Sequence, residues 1–184
     1  MTLPGKVIAV VNMKGGVGKT TTVVSLSETL AAVLQEPILV IDVDAQASAS
    51  FCLAGDKALT DLIKDDRTVD AYFEGALLNG PRRQIEALIC SQVSDVTHAG
   101  ENLDVSLLAS STELRITERE IIYNLTAKGY SLNAIEGQTT KILSKDIEKL
   151  RKKYSYILVD CAPGISAFTS AAVALADLVI VPMT

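Results

Sequence analysis

Five runs of almost unbroken aliphatic residues constrain this chain more than any other feature: 6–11, 38–42, 103–108, 156–160 and 178–181. A strand with one wet face alternates apolar and polar residues, whereas continuous aliphatic runs fit a parallel sheet covered on both faces. The stretches between the runs repeat at helical spacing. Val23, Leu26, Leu30, Val33 and Leu34 form one apolar stripe, and Leu114, Ile121, Ile122 and Leu125 a second. Ile142, Leu143, Ile147, Leu150 and Tyr154 form a third. Strands alternating with helices predict an α/β fold, a doubly wound and mainly parallel sheet flanked by helices, with right-handed crossovers. Segment 54–100 is less regular. Short helices are expected there at 59–63, 69–73 and 82–89, joined by turns such as Asn79-Gly80-Pro81.

With 184 residues the chain has the length of one domain and can bury a core without a disulfide or metal. Aromatic residues make up only 4% and tryptophan is absent, so that core must be aliphatic. Seventeen basic residues against 22 acidic ones give a net charge of −5, which excludes a protein that coats nucleic acid through bulk positive charge. The basic residues Lys141, Lys145, Lys149, Arg151, Lys152 and Lys153 alternate with Asp146 and Glu148 and read as the solvated face of an amphipathic helix. Cys52, Cys90 and Cys161 lie far apart and form no CxxC pair, so they read as reduced thiols rather than a disulfide or zinc framework. The single histidine, His98, lies in a polar stretch and leaves no material for a histidine metal cluster. The longest apolar stretch, 171–181, is interrupted by Asp177 and falls short of the roughly 20 residues of a membrane helix. A soluble, cytoplasmic protein without a membrane partner is expected.

The first run leads into Asn12-Met-Lys-Gly-Gly-Val-Gly-Lys-Thr-Thr21 and then into a helical stretch. Glycines at 15, 16 and 18 let the backbone turn tightly and aim successive N–H groups at an anion. The helix that follows adds the positive end of its dipole. In such a loop Gly15, Gly16, Val17 and Gly18 cradle phosphates, and Lys19 places a point charge at the β- and γ-phosphates. The Thr20 hydroxyl can ligate Mg²⁺, and Thr21 can donate to a phosphate oxygen. An ordinary P-loop carries Gly or Ala five residues before its last glycine; here that residue is Met13, and a lysine, Lys14, follows it.

This loop resembles the deviant Walker A motif of the ParA/MinD ATPases. The resemblance implies that Lys14 reaches across a dimer interface to the partner's nucleotide. Ile38-Leu-Val-Ile-Asp-Val-Asp-Ala-Gln46 resembles the second motif of that family, usually Asp-x-Asp-Pro-Gln-Gly. By carry-over Asp42 lies near the magnesium shell and Asp44 orients the attacking water. The chain differs from the pattern at Ala45, Ala47 and Ser48, where Pro, Gly and Asn are usual. Tyr154-Ser-Tyr-Ile-Leu-Val-Asp-Cys-Ala-Pro-Gly164 resembles the Walker B segment, which makes Asp160 the holder of a Mg²⁺-bound water and the Pro-Gly turn a γ-phosphate sensor.

The resemblance covers nearly the whole chain and fits partition-type ParA proteins best. It implies a single P-loop ATPase domain over 1–184 that lacks the family's C-terminal portion, with ATP and Mg²⁺ as cofactors. It further implies an ATP-dependent homodimer, nonspecific DNA binding with nucleoid association in the ATP state, and a ParB-like activating partner. The alternative is a nucleotide-binding interaction module of the MinD/ParA group with little or no turnover, motivated by the altered residues after Asp44 and the missing C-terminal region, or a cargo-positioning relative.

Overall fold

Each aliphatic run forms a parallel strand, and together they build one five-stranded sheet. The computed structural model describes residues 4–183. The strands are β1 (Lys6–Val10), β2 (Ile38–Val43), β5 (Val105–Leu108), β6 (Tyr156–Cys161) and β7 (Leu178–Ile180), in the spatial order β5-β2-β6-β1-β7. β3 (Thr97–His98) and β4 (Glu101–Asn102) make a small exposed antiparallel hairpin. The helices are α1 (Lys19–Leu34), α2 (Ser48–Lys64), α3 (Val69–Leu77), α4 (Ile85–Leu88), α5 (Leu114–Ala127), α6 (Leu132–Leu150) and α7 (Ala167–Leu175).

Alternation along the strands sorts the core into two layers. Val7, Ala9, Leu39, Ile41, Val43, Ile157, Val159 and Cys161 pack with residues of α3, α5, α6 and α7. Val10, Ile38, Val40, Val105, Leu107 and Leu158 pack with Val23 and Ala31 of α1 and with Leu53, Leu59 and Leu62 of α2. The same alternation fixes the strand-end carboxylates. Asp42 shares the parity of Ile38 and Val40, and Asp160 that of Leu158, so both belong to the face on which α1 begins.

Two parts of the fold differ from the sequence-based expectation. α2 begins at Ser48 rather than near residue 59, and it bends at Gly55, whose φ of 70° and ψ of 171° are not helical. α7 was not expected, because its alanine-rich segment runs into β7 without a polar face to mark it; the N-cap Ser166, which accepts from Thr169 N at 3.1 Å, is its only boundary signal. Among the described residues no helix is long and apolar enough to cross a membrane. The basic stretch near the end of α6 is mostly solvated, except that Arg151 turns inward to Asp177 at 2.6 Å and to the Gly5 carbonyl at 2.6 Å.

Candidate functional site

The order of the strands leaves a crevice at their C-terminal ends, where β1 continues into the glycine-rich loop. Asn12 anchors the start of that loop. Its Oδ1 accepts from Lys14 N at 2.9 Å, and its Nδ2 donates to the Pro182 carbonyl at 2.7 Å. Gly16 has a φ of 74° and Gly18, the N-cap of α1, a φ of 87°. Side chains other than glycine rarely take such values, so the loop can turn its N–H groups inward only with these residues. Gly15 and Gly16 are exposed, and Val17 and Gly18 half-buried.

Lys19 is 7% exposed, and its Nζ donates to the Lys14 carbonyl at 3.0 Å. The ammonium group is thereby folded back over the loop, with no carboxylate in direct contact among the described residues. Lys14 is exposed, as are Met13 beside it and Thr21 on the first turn of α1. Thr20 reaches the other side of the crevice: its Oγ1 donates to Asp160 Oδ2 at 2.7 Å. Asp160 is 1% exposed, and its second oxygen, Oδ1, has no hydrogen-bond partner among the described residues. A buried carboxylate oxygen without a donor is costly, and it is the kind of vacancy a hard cation or its bound water fills.

Asp42 stands opposite Asp160 in the β2–β6 register and is fully buried. Its Oδ1 accepts from Asp44 N at 3.0 Å, and its Oδ2 accepts from Ser50 N at 2.9 Å and Ser50 Oγ at 2.7 Å. Ser50 Oγ in turn accepts from Ser110 N at 2.9 Å. Both Asp42 oxygens therefore already have donors from the chain itself, and what they hold is the loop that carries Asp44. Asp44 is half-buried, and its Oδ1 accepts from Gln46 N at 2.9 Å. Ala47, where the resemblance leads one to expect glycine, adopts φ 51° and ψ 32° at the N-cap of α2. The departure leaves the left-handed turn intact at a cost of about 1 kcal/mol.

Sequence reasoning missed Ser50, Ser110, Asn12 and Glu118. Glu118 Oε1 accepts from Ala167 N at 3.2 Å at the start of α7. A cleft of about 200 Å³ separates Asp44, Ala45 and Gln46 from Ala162 and Pro163, and Leu114, Arg115 and Glu118 also line it.

Burial, together with the charge of Asp160, raises the Asp42 carboxyl to about 7. Burial also raises Asp160 to about 6, against the opposing effect of its bond from Thr20. Burial pushes the Cys161 thiol up to about 12, so it is an inert core group. Both carboxyls have folded values above the ordinary 3.8. The stability they contribute is thus fully present below about pH 4 and is lost as pH rises toward 7. Asp160→Asn removes one of the two buried charges. In thermal melts without Mg²⁺ or nucleotide it should raise Tm at pH 7.5 by roughly 3–10 °C, corresponding to about 1–3 kcal/mol. The gain should shrink as pH falls to 4.5; a gain independent of pH would mean that the buried charge of Asp160 is not its source.

A family model described as an AAA domain matches residues 5–184. The sporulation initiation inhibitor protein Soj of Bacillus subtilis is 29% identical over 184 residues, covering 97% of this chain and 58% of Soj. The chromosome partitioning protein ParA of Myxococcus xanthus is 27% identical over 179 residues, covering 97% of this chain and 52% of that protein. Among solved structures, cobyrinic acid a,c-diamide synthase from Mycobacterium smegmatis with bound ADP and magnesium superimposes with a TM-score of 0.66 at 23% identity, over 97% of this chain and 60% of the synthase. The chain thus spans little more than half the length of the curated relatives it matches.

Proposed function

The chain belongs to the AAA domain family, as a ParA/MinD-type P-loop ATPase, and on that premise we propose that it hydrolyses ATP as a dimerisation switch in plasmid or chromosome partitioning. One observation carries the reading: Thr20 of the loop and Asp160 of β6 meet at 2.7 Å while Asp160 Oδ1 stays buried without a donor among the described residues. A hydroxyl and a carboxylate so paired, next to a buried lysine, suit a nucleotide phosphate with its Mg²⁺. When bound, Mg²⁺ supplies charge neutralisation for the β- and γ-phosphate oxygens.

The residues of the chain divide the remaining work. The N–H groups of Gly15, Gly16, Val17 and Gly18 hold the phosphates, and Thr21 donates to a phosphate oxygen. Lys19 exchanges the Lys14 carbonyl for β- and γ-phosphate oxygens. Thr20 and Asp160 are the residues that would hold the metal ion, which would supply positive charge beside the phosphates. Asp42, whose two oxygens accept from Asp44 N, Ser50 N and Ser50 Oγ, fixes the backbone of Asp44, which orients the attacking water. Lys14, exposed at the mouth of the loop, extends to the nucleotide of a second copy. In the ATP dimer the protein binds DNA nonspecifically and is switched off by a ParB-like partner that stimulates hydrolysis. Cytoplasmic residence, with nucleoid association in the ATP state, follows from that cycle.

Lys14 provides the test. Two ATP-bound faces carry like charge, and a lysine from each side relieves the repulsion and adds charge stabilisation in the transition state. Lys14→Ala should bind ATP with an affinity within about threefold of wild type by calorimetry, since a solvated lysine adds little to binding within one subunit. It should fail to double in mass with ATP by light scattering, where the unsubstituted protein does so. A Lys14→Ala variant that dimerises and hydrolyses like the parent would defeat the switch and leave a P-loop nucleotide-binding protein acting alone.

A further inference from the structure

We propose that Glu118 of α5 is a positioning residue for hydrolysis, holding the turn that follows Asp160 by accepting a hydrogen bond from the first N–H of α7. The inference rests on the ATPase reading above and assigns a role to a residue outside the phosphate loop and the strand-end carboxylates.

The first N–H groups of a helix have no partner within it. In α7 the N-cap Ser166 meets Thr169 N, and Ala167 N is met instead by Glu118 Oε1 at 3.2 Å, from a helix 49 residues away in the chain. The turn between Asp160 and α7 has little else to hold it. Pro163 is exposed, Ile165 is 79% exposed, and Gly164 has a φ of 102°. Its lower end is fixed where Cys161 pairs with Val43 in the sheet, and its upper end where Ala167 meets Glu118.

The turn faces Asp44 across the 200 Å³ cleft, and Leu114, Arg115 and Glu118 of α5 line that cleft beside both loops. α5 is also tied to the opposite wall. The residues leading into it include Ser110, whose N–H donates to Ser50 Oγ, and Ser50 donates to Asp42. Glu118 therefore closes a path through α5 that sets the spacing between the Asp44 loop and the turn after Asp160. Loss of its acceptor frees one wall of the cleft while leaving the phosphate cradle and Lys19 in place. Misplacement by about 1 Å at a reacting centre can cost up to about 100-fold in rate, with little effect on binding.

The experiment compares Glu118→Ala and Glu118→Gln with wild type in ATP calorimetry, single-turnover hydrolysis and amide hydrogen exchange. Glu118→Gln keeps an acceptor for Ala167 N; Glu118→Ala does not. The expected result is hydrolysis slowed about 10- to 100-fold in Glu118→Ala, with ATP affinity within about threefold of wild type. Glu118→Gln should restore the rate to within about threefold, and exchange at the amides of 164–167 should quicken only in the alanine variant. A wild-type rate in Glu118→Ala, or equal slowing in both variants, would overturn the proposal. Absence of hydrolysis in the wild-type protein would instead defeat the ATPase reading. Hydrogen exchange would still decide Glu118 in that case: unchanged protection at Ala167 in Glu118→Ala overturns its hold on the turn.

Discussion

Lys19→Ala is expected to weaken ATP binding by at least about 100-fold, or roughly 3 kcal/mol. Lys19 is 7% exposed, and among the described residues its side chain hydrogen-bonds only the Lys14 carbonyl, at 3.0 Å. A phosphate chain can replace that neutral carbonyl with a charge-assisted contact, gaining much while giving up little. The rest of the loop opposes phosphate charge only with N–H dipoles and the end of α1, which contribute less than a full cation. The loop should keep its shape when the Lys19 bond to the Lys14 carbonyl is lost, because Asn12 still holds both its own contacts and the glycines keep their left-handed turns. Calorimetry with Mg²⁺–ATP decides the matter, and an affinity within threefold of wild type would move the phosphate site elsewhere in the molecule.

Asp44→Ala should separate binding from hydrolysis. The N–H of residue 44 donates to Asp42 Oδ1 at 3.0 Å, and that bond survives the substitution. What disappears is a half-buried carboxylate whose side-chain hydrogen bond among the described residues, from Gln46 N at 2.9 Å, lies at the surface. ATP affinity should stay within about threefold of wild type, whereas single-turnover hydrolysis should fall by about 100- to 1,000-fold, the usual range for losing a positioned acceptor for the attacking water. The variant should accumulate as an ATP-bound dimer by light scattering. Wild-type turnover in Asp44→Ala would assign the water to another residue. Tight ATP binding without turnover in the wild-type protein would favour the interaction-module alternative.

What could be read from the sequence followed the range of the forces involved. The five strands were legible because a strand buried on both faces needs an aliphatic residue at nearly every position. The phosphate loop was legible because its chemistry is local: the glycines, Lys19 and Thr20 lie within six residues of one another. α7 was not legible, since a helix packed against α6 and the sheet shows no polar stripe and its alanines merge with β7. The start of α2 was hidden by Ala47, whose left-handed conformation its side chain does not advertise. Ser50, Ser110 and Glu118 escaped notice because each acts on a residue remote in the chain, and a lone serine or glutamate on a helix or strand end carries no spacing to betray it. Asp42 was identified as part of the site, but only the geometry showed that both its oxygens are spent on Asp44 and Ser50.

The strand order also governs how the molecule comes into being. β1 leaves the ribosome long before β6 and β7, its two neighbours in the sheet. Thr20 and Asp160 are 140 residues apart, so a nucleotide cannot assist the early stages of folding by bridging them. Until β6 and β7 follow, Val7–Val10 lacks both partners, and its aliphatic faces remain available to chaperones or to other nascent chains. Pairings of such long sequence separation fold slowly, because the chain entropy must be surrendered before the contacts form. Substitutions in β6 that delay its insertion between β1 and β2 should therefore reduce the yield of folded protein through aggregation of unfinished chains, even where the finished fold tolerates them.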